Sequence, residues 1–391
     1  MKKILGLLLA LCLIAGCTSA FAAGIPVEQV KIGYITIGDE NEGYSANHLN
    51  GLKEAQKALG ISDDQVLCKY NVPETEAAYE AAIDLAEQGC NIIFATSFGH
   101  ESYLFQAAEE YPYIQFCHAT GTAAMSSPLN NVHNYFYAVY ESRYVSGVVA
   151  GMKLAQMIED GTITADAAKI GYVGAFPFAE VISGFTSFFL GARSQCPSVT
   201  MEVRYTNSWA DMALEKETAE ALIADGCVLI SQHADTTGAP SACEAAGVPC
   251  VGYNISMLPV APNTALTSAA GDWGAYVTYA VKCLIDGEEI DRDWCKGYAE
   301  GAVYTTELND SIVAPGTAEK VAELEAGFKA GTVKVFDTSA FTVNGETLTS
   351  YTTAYGLDGI EMVSDGEFHE SSVRSAPYFD ILIDGITAVV E

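Results

Sequence analysis

Four short apolar runs, at residues 170–173, 201–205, 228–230 and 248–252, mark the middle of this chain. Each gives way at once to polar and aromatic residues: Phe176-Pro177-Phe178-Ala179-Glu180, Asn207-Ser208-Trp209-Ala210-Asp211, Gln232-His233-Ala234-Asp235 and Tyr253-Asn254. Segments of helical periodicity separate the runs. Strands buried on both faces read as unbroken apolar runs, and strands alternating with helices predict βαβ units on a parallel sheet. In open α/β sheets, ligands bind beyond the carboxyl ends of the strands. The polar residues after the runs therefore predict one half of a binding cleft.

The first half of the chain repeats the alternation. Residues 30–37 are a β-branched run and 45–59 carry apolar residues at helical spacing. Residues 65–72, 91–96 and 113–117 predict strands, and 75–88 and 101–110 predict helices. Strand starts near 31, 65, 91 and 114 have counterparts near 170, 201, 228 and 248, so the halves share an order of elements without sharing residues. The fold class that follows is α/β, with two doubly wound lobes. Residues 134–151 pass between them, and a helix through Tyr144, Val145, Val148 and Met152 enters the second. Beyond Asn254, residues 264–268 are extended and 273–284 helical, and this piece is expected to return to the first lobe. Residues 297–304 are expected as a strand of the second lobe, 315–330 as a helix stopped by Gly331, and the tail after Thr332 as short strands and loops closing that lobe. The expected division is 30–138 with 264–290 in the first lobe, and 139–263 with 291–391 in the second.

With 391 residues, half of them hydrophobic, the chain can fill two cores. Its 19 Lys+Arg against 50 Asp+Glu give a net charge of -31, which excludes nucleic acid as a partner because no basic footprint exists to neutralise phosphates. The acidic residues are spread along the chain, as on a solvated surface. Lys2-Lys3 and the apolar residues 4–15 form a targeting segment too short to span a bilayer. Ile14-Ala15-Gly16-Cys17 resembles a bacterial lipobox, which implies a signal peptide over 1–16, lipidation of Cys17 and a tether over 17–29. The competing reading is plain secretion with cleavage near Ala22-Ala23. Both place the mature chain outside the cytoplasm, held to the cell membrane by lipid alone in the first case. Of eleven cysteines, nine follow Cys12 and Cys17, an odd number, so at least one stays free or pairs between chains.

Candidate chemistry is of the binding kind. The loop Gly38-Asp39-Glu40-Asn41-Glu42-Gly43-Tyr44-Ser45 leads from the first strand into a helix. Ser45 either caps that helix or shares its free N–H groups with a ligand, and Tyr44 is placed to lie over a planar molecule. Neither a dinucleotide fingerprint nor a Gly-Lys-Ser/Thr phosphate loop occurs. Phe98 and His118 follow the third and fourth strands. Phe176, Phe178 and Trp209 lie in loops, where they either fill core or stack on a planar ligand. Asp235 and Asp272 follow strands, as helix caps or as acceptors for ligand N–H or hydroxyl groups. The six histidines, His100, His118 and His233 among them, lack zinc-site spacing, and no cofactor or metal is expected. No nucleophile has a catalytic context, so the chain is not expected to be an enzyme.

These residues resemble the basic-membrane-protein family of substrate-binding lipoproteins, the group that includes purine nucleoside receptors of ABC importers. The turn from Gly174 to Val181, the loop Thr206-Asn207-Ser208-Trp209-Ala210-Asp211, the segment Gln232-His233-Ala234-Asp235-Thr236 and the Asp272-Trp273 helix start carry the likeness, over roughly residues 30–335. It implies a type I periplasmic-binding fold with three crossings between lobes. It also implies a small planar solute of purine type, a permease partner and a monomeric receptor. Ligand residues would be Tyr44, Ser45, Phe98, His118, Phe176, Phe178, Asn207, Trp209, His233, Asp235, Asn254 and Asp272. Relatives commonly carry Asp where this chain has Asn254. The competing functions are a ligand-sensing module and an extracellular nucleoside hydrolase on the same fold.

Overall fold

The computed structural model describes residues 24–354, 357 and 359–389. The signal segment and Cys17 lie outside the described residues. The first α/β unit runs β1 (Ile32–Ile35), α1 (Gly43–Leu59), β2 (Val66–Lys69), α2 (Glu76–Glu87), β3 (Ile92–Ala95), α3 (Glu101–Glu110), β4 (Gln115–Ala119) and β5 (Val132–Tyr137). Helix α4 (Val139–Glu159) leads into the second: β6 (Lys169–Gly174), α5 (Ala179–Gln195), β7 (Thr200–Tyr205), α6 (Met212–Ala224), β8 (Leu229–His233), α7 (Gly238–Ala246) and β9 (Cys250–Tyr253). Then follow β10 (Ala265–Gly271), α8 (Trp273–Asp286), β11 (Asp293–Lys296), β12 (Val303–Thr305), α9 (Thr317–Lys329), β13 (Val363–Ser364), β14 (Glu367–Phe368) and β15 (Ile386–Val389).

One sheet has the order β11-β5-β4-β3-β1-β2 and is parallel throughout. The other has the order β12-β10-β9-β8-β6-β7-β15, parallel except where β12 runs antiparallel to β10. Every residue of β1, β3, β8 and β9 is buried, as expected of strands covered by helices on both faces. The two-lobed fold expected from the sequence is thus present. The chain crosses between sheets three times: at Ala138 from β5 to α4, at Asp272 from β10 to α8, and through residues 297–302 from β11 to β12.

Two strands fall on the other side of the expected division. Residues 264–290 do not return to the first lobe as a block, because β10 pairs with β9 from Ala265↔Cys250 to Ala269↔Tyr253 in the second sheet. Only α8, packed on α1, belongs with the first. The seven residues of β10 are all buried, so their N–H and C=O groups need a strand on each side, which β9 and β12 supply. Residues 291–391 are not all second lobe either, since β11 pairs with β5 from Asp293↔Asn134 to Lys296↔Tyr137. The tail then joins the lobes. Strand β15 extends the second sheet beside β7, Phe336 stacks on Phe379 at 4.6 Å, and Ser375 Oγ donates to Asp293 Oδ1 on β11 at 2.7 Å.

Helix α4 is held against α5 at backbone distance. A Cβ on Gly147 would lie 2.0 Å from the carbonyl oxygen of Phe188, and one on Gly191 would lie 2.1 Å from that of Tyr144. Neither contact can relax by rotating a side chain, so the two glycines set how closely the hinge-side helix seats on the second lobe. Gly147→Ala is expected to destabilise the protein by about 1–3 kcal/mol, read as a lower urea midpoint at unchanged m-value; an unshifted midpoint would show that the helices separate freely.

Candidate functional site

The carboxyl ends of the two sheets face each other across a cavity of about 370 Å³ of empty space, its open mouth included. From the first lobe come Ile37 after β1, Tyr44 on α1, Thr96, Ser97 and Phe98 after β3, and Thr120 after β4. The second lobe contributes Glu180 on α5, Trp209 after β7, His233 and Asp235 at β8, and Tyr253 on β9. The lobes meet at its rim: Gly43 N–H donates to the Asp235 carbonyl at 3.2 Å, and the Phe98 and Phe178 rings lie 5.8 Å apart.

The aromatic wall is anchored from behind. Tyr44 donates its hydroxyl to the Thr96 carbonyl at 2.5 Å and meets Trp273 edge-on at 5.8 Å. Phe178 stacks on Phe176 at 5.1 Å with planes 11° apart, and Trp209 meets Phe176 edge-on, also at 5.1 Å. Phe98 and Phe178 keep 42% and 41% of their surface exposed, so the rim offers flat apolar faces to a ligand.

The polar end is built around the loop after β8. Gln232 Nε2 donates to the carbonyls of Ala234 and Thr236 at 2.7 and 2.8 Å. Both carboxyl oxygens of Glu215 accept from Thr236 N–H at 3.2 Å. These bonds hold Asp235 against the cavity, where its Oδ1 accepts from Asn254 Nδ2 at 2.8 Å. Burial pushes the Asp235 carboxyl well above the usual range, and Glu42, Glu215 and Glu180 push it further. Burial likewise raises Glu215 and Glu180 to about 7, while Arg143 draws Glu180 down. Arg143 is fully buried; its Nη1 donates to the Gln232 carbonyl at 2.6 Å and its guanidinium lies 3.7 Å from the centre of the Tyr253 ring. His233 Nε2 lies 3.4 Å from Glu180 Oε1, and burial holds its pKa well below the ordinary value.

Of the twelve candidate ligand residues, the structure brings Tyr44, Phe98, Trp209, His233 and Asp235 together on the cavity wall. Phe176 and Phe178 stand behind and at the rim. Ser45 does not cap α1; Glu42 does, accepting from Tyr44 and Ser45 N–H at 2.6 and 2.8 Å. The first-turn N–H groups expected to be free are therefore taken, with Gly43 bonded to Asp235. Ser45 is buried and its Oγ accepts from Gly38 N–H at 3.0 Å. His118 is buried off the cavity wall and meets the Ser97 carbonyl at 2.7 Å; Thr120, two residues on in the left-handed region at φ 67°, takes the wall position. Asn207 is exposed and forms the turn that carries Trp209, with its φ at 55° and its N–H on the Ala175 carbonyl. Asp272 caps α8 by accepting from Gly274 N–H at 2.8 Å, and with Asn254 it lines a separate open groove beside Asn47 and Tyr304. Glu180, Tyr253 and Arg143 were not among the candidates. Arg143 had a legible signal, as the single cation among the apolar positions 139–152.

The raised glutamates make stability depend on pH in a definite sense. A carboxyl whose folded pKa exceeds its unfolded value stabilises fully below the unfolded pKa, near 4.5, and that contribution is lost as pH rises through the folded value, about 7 for Glu215. Glu215→Gln keeps an acceptor for Thr236 N–H and does not titrate. Relative to wild type, its melting temperature is expected to rise between about pH 5 and pH 8; a difference independent of pH would count against a neutral Glu215.

A family model described as "ABC transporter substrate-binding protein PnrA-like" matches residues 34–327. A purine-binding protein of Brucella abortus is 33% identical over 79% of this chain and 83% of its own length. An ABC transporter protein of Haloferax volcanii named for glucose binding is 32% identical over 68% of this chain and 64% of its own. Among solved structures, an Aeropyrum pernix ABC transporter solute-binding protein superposes with TM-score 0.66 at 18% identity, covering 78% of this chain and 93% of that one. A Conexibacter woesei solute-binding protein gives TM-score 0.61 at 21% identity, covering 78% and 98%. These likenesses agree with the type I solute-binding fold of facing sheets and three crossings. Members of the family bind a small solute outside the cytoplasm for an ABC permease and are not enzymes, and this chain belongs to the PnrA-like family of ABC transporter substrate-binding proteins.

Proposed function

We propose that the solute is a purine nucleobase or nucleoside, captured between the lobes and delivered to an ABC permease. The observation that carries this reading is the pairing of flat aromatic faces with carboxyl groups in one cavity: Tyr44, Phe98 and Trp209 on its walls, Asp235 and Glu180 at its polar end. Aromatic faces favour a planar ring by offset stacking, and carboxylates take N–H and hydroxyl donors in charge-assisted bonds. The purine-binding relative from Brucella supports the same choice. Closure about the three crossings suits capture and release. Two supports from the sequence complete the proposal: the lipobox-like Ile14-Ala15-Gly16-Cys17 for a lipid tether, and the absence of any other long apolar run.

Two experiments test this. In a thermal-shift panel of purine bases, nucleosides and glucose, a ligand at a hundred times its Kd adds about 2.7 kcal/mol of stability. A purine is expected to give the shift and Asp235→Ala to abolish it. A shift with glucose alone would move the assignment to sugars. For the tether, cells fed a labelled fatty acid are expected to label the wild-type protein and not Cys17→Ser, which should leave the membrane fraction; an unlabelled wild type would favour plain secretion.

A further inference from the structure

Among the cavity's side chains with hydrogen-bonding capacity left over, which include the hydroxyls of Thr96 and Thr120 and Nδ1 of His233, Glu180 is the carboxyl group held by the longest bond. It stands in the first turn of α5 with 14% of its side chain exposed, on the cavity wall. His233 Nε2, at 3.4 Å, is its side chain's hydrogen-bonding partner among the described residues. Its neighbours are more committed: Glu42 caps α1, Glu215 holds Thr236, and Asp235 gives one oxygen to Asn254. Behind Glu180 lies Arg143, whose Nε and Nη2 have no partner, so a buried positive charge backs the carboxyl group without bonding to it.

We propose that Glu180 is the specificity-determining residue of this cavity, its carboxylate accepting the N–H donors of an exocyclic amino group on the heterocycle held against the aromatic walls. This rests on the purine reading above. A ligand without that amino group leaves the carboxylate desolvated and unpaired, which costs more than the absent bond alone. The charged groups and titratable side chains that face Glu180 are Arg143 on α4, His233 on β8, Asp235 after it, and Tyr44, Tyr137 and Tyr253. Burial holds His233 neutral and lifts the three tyrosines above their ordinary range. Glu180 is left to titrate near neutrality, beside an Asp235 carboxyl that burial pushes well above its usual range. A donated N–H favours the ionised form of Glu180, so an amino ligand tightens as pH rises through about 7.

The test compares adenine with unsubstituted purine, which differ by that amino group, on the mature protein by calorimetry at about pH 6 and pH 8. Wild type is expected to prefer adenine by about 10- to 100-fold, the range of one charge-assisted hydrogen bond, and more so at the higher pH. Glu180→Ala should bring the ratio close to one while the far-UV spectrum stays native. Glu180→Gln, which keeps an acceptor, should hold part of the preference and lose its pH dependence. Asp235→Asn should weaken both ligands and keep the ratio. Equal weakening of adenine and purine by Glu180→Ala, or an unchanged ratio, overturns the assignment. Binding of neither compound by wild type overturns the purine reading and the assignment with it, and that failure is visible before any variant is made.

Discussion

The cleft depends on one buried cation. Arg143 sits just past the first crossing, bonds the backbone of β8 at Gln232 and lies over the Tyr253 ring of β9. It thereby joins the hinge-side helix to the strand ends that carry the ligand-facing residues. Without Arg143, Glu180 would lose the positive charge that draws it toward ionisation.

A chain of net charge -31 gathers four carboxyl groups here, Glu180 and Asp235 on the cavity wall and Glu42 and Glu215 close enough to raise Asp235. Each is answered by a different device. Glu42 is bonded to helix N–H groups, Glu215 to a loop N–H, Asp235 to Asn254, and Glu180 faces Arg143 across a gap. Their raised pKa values are the electrostatic cost of keeping acceptors dry, and a ligand that brings donors relieves it. Sites of this kind trade some stability of the empty protein for affinity.

Much of the architecture was legible because it rests on repetition. The buried strands of both lobes are unbroken apolar runs, and the equal order of elements in the two halves identified a pair of lobes. The misplaced pieces are those whose pairing is decided by distant residues. β10 reads as a return to the first lobe, yet its burial is met by β9 and β12. β11, the short segment Asp293-Trp294-Cys295-Lys296, gains its place by pairing with the edge of β5, Asp293 opposite Asn134 far earlier in the chain. The site was legible in the same uneven way. Loops directly after strands predicted Trp209, His233 and Asp235, since their position follows from the sheet. His118 was expected on the wall, yet Thr120, in the left-handed region just past β4, lines the cavity in its place.

The sequence by itself determined the α/β class, the two lobes and the loops that line the cleft, since hydrophobic periodicity and strand-to-helix junctions are local. It also supplied the motifs that resemble a family of solute receptors. Tertiary structure alone decided which polar groups face the cavity and in what state. Glu42 instead of Ser45 closes α1, Asn207 makes a turn, Asp272 caps a helix, and Glu180 comes to face the cavity with Arg143 behind it. Asn207 and Glu180 meet partners more than thirty residues away in the chain, while Glu42 and Asp272 cap their own helices through N–H groups two or three residues on, a choice between cap and ligand contact that the spacing of residues leaves open.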